Sequence, residues 1–199
     1  KKGLFTNMQR LKKEPNNTEL KYEVERLNTQ QMVIKILINS CYGYMGNKNA
    51  PIGDDDIAAS VTLTGQAVIK YSNKLLKDFM RDEVGSDNIS EHDLEECIVY
   101  NDTDSSYISI KPLIDNGVKF WESKDDALVH RETYDKIQEI EDYLNIGITK
   151  WARKALLTQD PRFVFKREMI ADVATFIQKK RYVMHILDDE GIKENKFKY

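Results

Sequence analysis

Two aspartates that stand two positions apart are the residues best suited to chemistry in this sequence. Asp102 and Asp104 lie between two apolar runs, 97–100 and 105–110, whose β-branched and aromatic residues predict a β-hairpin with the aspartates at its tip. Two carboxylates so close together repel each other and lose hydration, and a divalent cation with oxygen ligands stabilises such a pair. The alternative is an ordinary polar turn, in which Asp102 accepts a hydrogen bond from the backbone.

A second set of polar residues recurs at helical spacing. Lys35, Asn39 and Tyr42 follow one another at i, i+4 and i+7, which places them along one stripe of a predicted helix. An ammonium, an amide and an aromatic ring in one line suit a phosphate, the edge of a base and the face of a base. The alternative is the polar boundary of an ordinary amphipathic helix.

Basic residues and an aromatic one alternate near the end of the chain. In the segment 178–182, a strand would place Lys180 and Tyr182 on one face and Lys179 and Arg181 on the other. Positive charge beside an aromatic ring suits the backbone of a nucleic acid. A charged edge strand that discourages aggregation is the alternative.

The formal net charge of −3 hides an uneven distribution along the 199 residues. Residues 1–50 carry nine Lys and Arg against four Asp and Glu, and residues 161–199 carry nine against six. The middle, 51–160, carries twelve against twenty-three. Basic ends around an acidic middle suit a site that holds cations centrally and polyanions at its edges. Helix surfaces that simply differ in charge are the alternative.

Two consecutive helices must position the Lys35 stripe. The pattern predicts a short helix over 4–13, a turn over 14–17 that contains Pro15, and a long helix over 18–44. Together they predict a helical hairpin. The long helix carries one continuous apolar stripe, formed by Leu20, Val24, Leu27, Gln31, Ile34, Ile38, Cys41 and Met45.

The other elements combine helices with short strands. Asp54, Asp55 and Asp56 offer N-caps for the next helix, and 188–191 offers a turn near the end of the chain. The remaining predicted elements are helices over 57–81 and 125–157 and strands over 162–171 and 174–187. Long helices with a small antiparallel sheet predict an α+β fold.

Several classes of protein are excluded by composition. No apolar run approaches the roughly 18–20 residues that cross a bilayer, so we expect no membrane segment. The first residues contain neither an initiating Met nor the apolar core of a signal peptide. Cys41 and Cys97 are the two cysteines of the sequence, which predicts buried thiols in a reducing compartment rather than a disulfide scaffold. The three histidines lie far apart in sequence, which argues against zinc. We therefore expect an intracellular globular chain.

Taken in order, the three polar sets resemble those of family B replicative DNA polymerases. The motifs are Lys35-x-x-x-Asn39-Ser40-x-Tyr42-Gly43, Asp102-Thr103-Asp104-Ser105 and Lys179-Lys180-Arg181-Tyr182. The resemblance extends from about Arg10 to Tyr199 and is greatest to the viral, bacteriophage T4-like branch. It implies a fingers helical hairpin in residues 1–45, most of a palm in 46–175 and the start of a thumb in 176–199.

The resemblance also implies a nucleotide site. Lys35 and Asn39 match residues that meet the triphosphate of an incoming dNTP, and Tyr42 matches one that lines the nascent base pair. Arg10 resembles a further triphosphate contact, with a second basic residue at 12 or 13.

Metal and DNA contacts follow from the same resemblance. Asp104 matches a carboxylate that binds two catalytic Mg²⁺ ions, Asp102 matches its partner, and Glu168 resembles an auxiliary acidic residue. Residues 179–182 resemble contacts to primer-template DNA, with Lys180 and Tyr182 near the primer end. Asp102, Asp104 and Lys35 are thus the expected catalytic residues.

The sequence departs from the family in what it lacks. The first palm motif, which carries another metal-bridging Asp, has no counterpart in residues 1–34, and no exonuclease domain fits. We therefore expect part of a larger or split polymerase in the cytoplasm, the host cytoplasm if viral, inactive without the missing motif. A second polymerase chain that carries that motif and the exonuclease is an expected partner. The alternative is a DNA-binding, nucleotide-binding or structural subunit without catalysis of its own.

Overall fold

The chain folds into two compact units, Lys1–Leu63 and Thr64–Tyr199. The computed structural model describes residues 2–51, 53–102 and 104–199. Within the first helix, the side chains at positions 2, 5, 9, 12 and 13 lie outside this description. Helix α3 (Asp55–Val84) begins in the first unit and ends in the second.

The first unit opens with a helical hairpin, as predicted. Helices α1 (Lys2–Lys13) and α2 (Thr18–Met45) pack against each other. Asn17 caps α2, because its side-chain oxygen accepts the backbone N–H of Leu20 at 3.0 Å. Its amide nitrogen donates to the carboxylate of Glu14 at 2.9 Å, which ties the two ends of the turn together.

The apolar stripe on α2 is packed in its first half and at its last residue. Leu20 is buried and Val24, Leu27 and Met45 are half-buried, whereas Ile34 and Ile38 are 57% and 63% exposed. The lengths explain this difference. The 12 residues of α1 span about 18 Å and the 28 residues of α2 about 42 Å, so α1 covers less than half of its partner.

The start of α3 confirms the predicted cap. The side-chain oxygen of Asp54 accepts the backbone N–H groups of Asp56 at 2.9 Å and Ile57 at 3.1 Å. The helix itself begins at Asp55 and runs to Val84, longer at both ends than the predicted 57–81.

The second unit combines two long helices with three small antiparallel sheets, which confirms the α+β class. The sheets are β1–β2, β3–β4 and β5–β6–β7. After α3, its elements are α4 (Glu91–Glu96), β1 (Ile98–Asp102), β2 (Ser105–Ile108), α5 (Lys111–Asp115), β3 (Trp121–Ser123), β4 (Leu128–Val129), α6 (Arg131–Ala155), β5 (Met169–Gln178), β6 (Arg181–Asp189) and β7 (Ile192–Lys198).

Helices α3 and α6 form the centre of this unit. Tyr71 stacks on Trp151 with ring centroids 5.3 Å apart, and Phe79 meets Tyr143 edge-on at 5.4 Å. The largest buried cluster contains residues of α3 and α6 and of the segments between them: Leu76, Phe79, Met80, Val84, Ile89, Leu94, Cys97, Leu113 and Ile140. Cys97 is buried as expected, but the expectation for Cys41 is wrong, since that thiol is exposed on α2.

Helix α6 begins later than the sequence predicted. The segment 123–130 forms a β-turn and strand β4 instead, because the hydroxyl of Ser123 donates to Asp126 at 2.8 Å and accepts its backbone N–H at 3.3 Å. The helix then starts at Arg131, where the Nδ1 atom of His130 accepts the N–H of Glu132. Helices α4 and α5 were not predicted, since each is too short to show a helical period.

The predicted strand over 162–171 is extended but mostly unpaired with another strand. Its burial alternates as in a strand, but β5 begins only at Met169. Before that point the backbone bonds to side chains of α6. Asn145 binds the N–H and the carbonyl of Phe165 at 2.7 and 2.8 Å, and Glu141 accepts the N–H of Arg167 at 2.9 Å.

The last sheet also differs from the expected pattern. The predicted strand over 174–187 consists of parts of β5 and β6 joined by a turn at Lys179 and Lys180. Of the turn expected at 188–191, Glu190 and Gly191 form the turn, whereas Asp188 and Asp189 still belong to β6. There, Glu190 and Gly191 have φ angles of 50° and 85°. Among the described residues, no helix combines the length and the hydropathy that a bilayer crossing requires.

Candidate functional site

The two aspartates lie at the tip of the β1–β2 hairpin, as the sequence predicted. Asp102 ends β1, pairs with Ser105 and is half-buried, while Asp104 lies in the turn and is exposed. The N–H of Asp104 donates to the carbonyl of Asp102, which keeps the turn tight. Thr103 lies outside the described residues. Because side chains alternate along a strand, Asp102 faces the same side as Tyr100.

Two of the three basic residues, Lys179 and Lys180, lie in a hairpin turn rather than in a strand, and Arg181 begins β6. Lys179 and Lys180 connect β5 to β6, and Gln178 pairs with Arg181 across the turn. Lys180 adopts a φ of 64°, the left-handed conformation that closes the turn. The prediction that Lys180 and Tyr182 share one strand face is therefore wrong, since Lys180 has left the strand. Nothing in the alternation of side chains signalled this turn, because it contains no Gly, Asn or Asp.

A cluster of four aromatic rings joins the β1–β2 hairpin to the turn between β5 and β6. We call the first the carboxylate hairpin, because it carries Asp102 and Asp104, and the second, Lys179 and Lys180, the basic turn. Tyr100 and Tyr107 come from β1 and β2, and Phe176 and Tyr182 come from β5 and β6. Five pairs among these rings have centroids 5.3 to 5.6 Å apart, a distance typical of favourable aromatic contacts. We call these four residues the aromatic cluster.

Two hydrogen bonds strengthen this junction. The backbone N–H of Lys180 donates to the hydroxyl of Tyr100 at 3.1 Å, and the hydroxyl of Tyr107 donates to that of Tyr182 at 3.1 Å. The first bond joins the residue two positions before Asp102 to the backbone of the basic turn. The structure therefore brings two of the three predicted motifs together. Tyr100, Tyr107 and Phe176 were missed by sequence reasoning, and the only signal was the aromatic character of both hairpins.

Glu168 lies just before β5 and is exposed. Its carbonyl accepts the N–H of Glu190 at 2.6 Å, which holds its backbone against the β6–β7 turn. The neighbouring Arg167 points inward, as the alternation along this extended segment requires, and forms an ion pair with the buried Asp188.

The charges of two of these carboxylates act on the phenol of Tyr107. Burial, the hydrogen bond to Tyr182 and the negative charges of Glu168 and Asp102 all raise the pKa of Tyr107 far above its usual value. The negative charges of two carboxylates from separate segments therefore act on one half-buried phenol. Tyr107 keeps its proton well above neutral pH and remains a hydrogen-bond donor.

The residues of this site suit a hard divalent cation by chemistry, since Asp102, Asp104 and Glu168 all supply carboxylate oxygens. The three do not, however, form a group whose ligand atoms all lie within 4.8 Å of one another. The described residues thus offer carboxylate ligands but not a closed cage.

The predicted nucleotide contacts belong to the first unit. Arg10 lies on α1 and is exposed, and its predicted basic companion at position 12 or 13 has a side chain outside the described ones. Lys35 and Asn39 are exposed on α2. Tyr42 follows on the same helix, and its hydroxyl donates to the carbonyl of Ala58 at 3.2 Å. This bond fixes the ring of Tyr42 between α2 and the first turns of α3.

One group of potential metal ligands was not expected. One ligand atom from each of His92, Asp93 and Glu96 lies within 4.8 Å of the others, and all three residues are exposed on α4. Hydrogen bonds from Ser90 lower the pKa of Asp93, whose carboxylate completes the capping box of this helix. The group is therefore explained by the helix cap.

Comparison with known proteins assigns the family. The sequence model described as DNA polymerase family B matches residues 2–121, more than half of the chain. The chain belongs to DNA polymerase family B. The matched residues include Arg10, Lys35, Asn39 and Tyr42 as well as both aspartates of the β1–β2 hairpin.

Relatives within the family extend the match toward the end of the chain. The DNA-directed DNA polymerases of Enterobacteria phage T4 and Escherichia phage RB69 are 27% and 28% identical to it, over 82% and 83% of the chain. DNA polymerase 1 of Pyrococcus abyssi is 27% identical over 95% of the chain. At most about 10 of the 199 residues lie outside that last match, so it includes Glu168 and the basic turn.

The chain corresponds to a small part of these relatives. It spans 18% of the length of each of the two phage polymerases and 19% of the archaeal one.

Proposed function

We propose that this chain is part of a template-directed DNA polymerase that transfers nucleotides from dNTPs to the 3′-hydroxyl of a primer. One observation carries the proposal within a chain of this family. The aromatic cluster and the hydrogen bond from Lys180 to Tyr100 hold the carboxylate hairpin beside the basic turn. Ligands for cations and contacts for a polyanion thus lie next to each other in one rigid arrangement, as phosphoryl transfer on DNA requires.

We assign the proposed roles by polymerase domain. Residues 1–45 are the fingers, 46–175 belong to the palm and 176–199 begin the thumb. In the fingers, Arg10, Lys35 and Asn39 meet the triphosphate of the dNTP. This proposal is supported by the exposure of all three residues on α1 and α2, which leaves them accessible to a nucleotide. Tyr42 lines the nascent base pair, with its ring fixed by the bond to Ala58.

Asp104 and Asp102, with Glu168 as an auxiliary ligand, are the residues proposed to hold divalent cations. Two Mg²⁺ ions bound there would lower the pKa of the primer hydroxyl and stabilise the pyrophosphate leaving group. Asp102 is oriented for this role by β1, because its strand partner Ser105 and its neighbour Tyr100 fix the backbone on both sides.

Residues of both units are proposed to position the substrates. Lys35 neutralises charge on the triphosphate, which reduces repulsion between the dNTP and the primer. Lys179, Lys180 and Arg181 bind phosphates of the primer-template duplex, and Tyr182 contacts the primer end. Because the basic turn is bonded to Tyr100, the primer end is held at a fixed position relative to Asp102 and Asp104.

We further propose that the chain alone does not extend a primer. Its three carboxylates do not gather their ligand atoms within 4.8 Å, so they would hold Mg²⁺ weakly without a further ligand. The missing ligand is the Asp of the first palm motif, supplied by another segment or by a second polymerase chain that also carries an exonuclease. The proposed location is the cytoplasm, that of the host cell if the chain is viral.

Primer extension with complementation tests this proposal. A recessed primer-template, dNTPs and Mg²⁺ are incubated with this chain alone and then with a polypeptide that carries the first palm motif of a phage relative. We expect extension only in the second case. Robust extension by the highly purified chain alone would contradict the predicted dependence on the missing ligand.

The alternative is a DNA-binding, nucleotide-binding or structural subunit without catalysis. It predicts salt-dependent binding of DNA without turnover. If gel filtration shows that this chain and the added polypeptide form a complex, but neither reaction extends the primer, the result would favour that alternative and count against a polymerase.

A further inference from the structure

The two phenols of the aromatic cluster form an ordered donor–acceptor pair. The hydroxyl of Tyr107 donates to that of Tyr182 at 3.1 Å, although the two residues lie 75 positions apart in sequence. A phenol carries one hydrogen and accepts through its lone pairs. When the hydroxyl of Tyr182 accepts from Tyr107, its own hydrogen stays available for another acceptor. Among the described residues, 2–51, 53–102 and 104–199, the Tyr182 hydroxyl has no other hydrogen-bond partner.

Both rings are held in place by their neighbours. The ring of Tyr107 lies 5.3 Å from that of Phe176 and 5.6 Å from that of Tyr100, and the ring of Tyr182 lies 5.6 Å from that of Phe176. A ring packed on two sides has few rotamers left, so the direction of each C–O bond is set by the fold. The hydrogen bond then decides where the hydrogen of Tyr182 points.

Tyr107 keeps its proton at neutral pH, because burial, the hydrogen bond to Tyr182 and the nearby carboxylates all raise the pKa of its phenol. Its hydroxyl can therefore donate to that of Tyr182, as the distance of 3.1 Å between the two oxygens allows. Tyr182 is half-buried near the start of β6, so it is partly accessible to solvent beside Lys180 and Arg181, where the proposed function places DNA.

We propose that Tyr107 is a positioning residue that orients the phenol of Tyr182 toward primer-template DNA, acting through the hydrogen bond between the two hydroxyl groups. This inference rests on the proposed function, because Tyr182 needs DNA as its acceptor. Tyr107 itself does not touch the substrate. Tyr107 lies in β2 of the carboxylate hairpin, and its hydrogen bond links this hairpin to Tyr182, the residue proposed to contact the primer end.

A double-mutant cycle on DNA affinity tests this inference. Binding of a labelled primer-template to the full 199-residue chain is measured by fluorescence anisotropy for wild type, Tyr107→Phe, Tyr182→Phe and the double variant. Phenylalanine keeps the ring contacts and removes only the hydroxyl. We expect Tyr107→Phe to weaken binding about fivefold, the equivalent of one hydrogen bond. In the Tyr182→Phe background, the same change should have no further effect.

A matched control and the contrary outcomes complete the test. Tyr143→Phe removes a phenol of α6 whose ring packs on Phe79, and it should leave DNA affinity unchanged. Wild-type affinity in Tyr107→Phe, or equal and additive losses in the double variant, would overturn this inference alone. Failure of the wild-type chain to bind DNA would overturn the inference together with the proposed function.

Discussion

The carboxylate of Asp188 shows how single residues keep Glu168 in place. It is 2% exposed and accepts from the Arg167 guanidinium, from the hydroxyl of Tyr134 at 3.3 Å and from the N–H of Gly191 at 2.9 Å. Arg167 also lies over the ring of Tyr134, 5.5 Å from its centroid. These contacts fasten the residue next to Glu168 to α6 and to the β6–β7 turn.

Replacement of Arg167 by Met should destabilise the second unit strongly. The change leaves Asp188 buried without its cation, and loss of one partner of a buried pair costs about 3–5 kcal/mol. Urea unfolding followed by circular dichroism measures the effect. Arg162→Met is the matched control, because the pair between Arg162 and Asp160 is 88% and 78% exposed, and a surface pair contributes only about 0–1 kcal/mol. Equal losses for both variants would contradict a structural role of the buried pair.

Residue types alone predicted part of this chemistry. The sequence identified Asp102 and Asp104 because two carboxylates at a predicted hairpin tip are conspicuous locally. It placed Asp188 in a turn, whereas Asp188 lies in β6, just before the turn. The burial of Asp188 was also missed, since Arg167 and Tyr134 reach it from 21 and 54 positions away. Long-range pairs of this kind leave no local pattern.

At the level of elements, the β5–β6 turn carries both strain and proposed function. Lys180 occupies a left-handed conformation that costs a side-chain-bearing residue about 1 kcal/mol, whereas Lys179 keeps a negative φ. The backbone N–H of Lys180 donates to Tyr100, and any residue except proline supplies this donor. Stability and charge at this turn are therefore separable by mutation.

Lys180→Gly should raise the free energy of unfolding by up to about 1 kcal/mol while weakening DNA binding. Glycine adopts the left-handed conformation without strain but removes a positive charge. The slope of log affinity against log salt concentration should become shallower by about the amount that one phosphate contact contributes. Lys179→Gly is the control, with a similar loss of charge and no gain in stability. The account would be wrong if the two variants changed stability equally.

The contact between α3 and α6 depends on one glycine. A Cβ atom at Gly147 would lie 2.4 Å from a methyl carbon of the buried Leu75, whereas at Gly65 it would meet nothing within 4 Å among the described residues. Close packing of two helices requires such a small residue where their axes approach.

Alanine at these two glycines should therefore have opposite effects. Gly65→Ala should stabilise the protein by up to about 1 kcal/mol through helix propensity. Gly147→Ala gains the same propensity but overpacks the contact with Leu75, at a cost of about 1–3 kcal/mol. Thermal unfolding of both variants measures the difference. A Gly147→Ala protein as stable as Gly65→Ala would contradict a tight contact between Gly147 and Leu75.

Periodic elements were predictable, whereas elements defined by distant partners were not. The hairpin α1–α2 and the pair β1–β2 follow from the spacing of apolar residues. The alternation over 162–168 correctly indicated extended backbone, but its hydrogen-bond partners are the side chains of Asn145 and Glu141 on a helix rather than a strand. The period of the side chains does not reveal what the backbone binds.

For the whole molecule, the order of the motifs predicted the family before any contact was known. The match over residues 2–121 confirms that family. The sequence alone could not show the aromatic cluster, because its two halves lie about 70 positions apart along the chain. That cluster is what turns two separate motifs into one candidate site.

The most direct test of this account is the effect of Asp104→Asn on primer extension by the complemented enzyme. Asparagine keeps the size of the side chain and removes the charge that would hold a catalytic cation. Asp125→Asn is the matched control, since Asp125 is an exposed aspartate at the tip of the β3–β4 hairpin. We predict at least about a hundredfold loss of extension rate for Asp104→Asn and none for Asp125→Asn. An undiminished rate in Asp104→Asn would contradict the assignment of this hairpin as the catalytic centre.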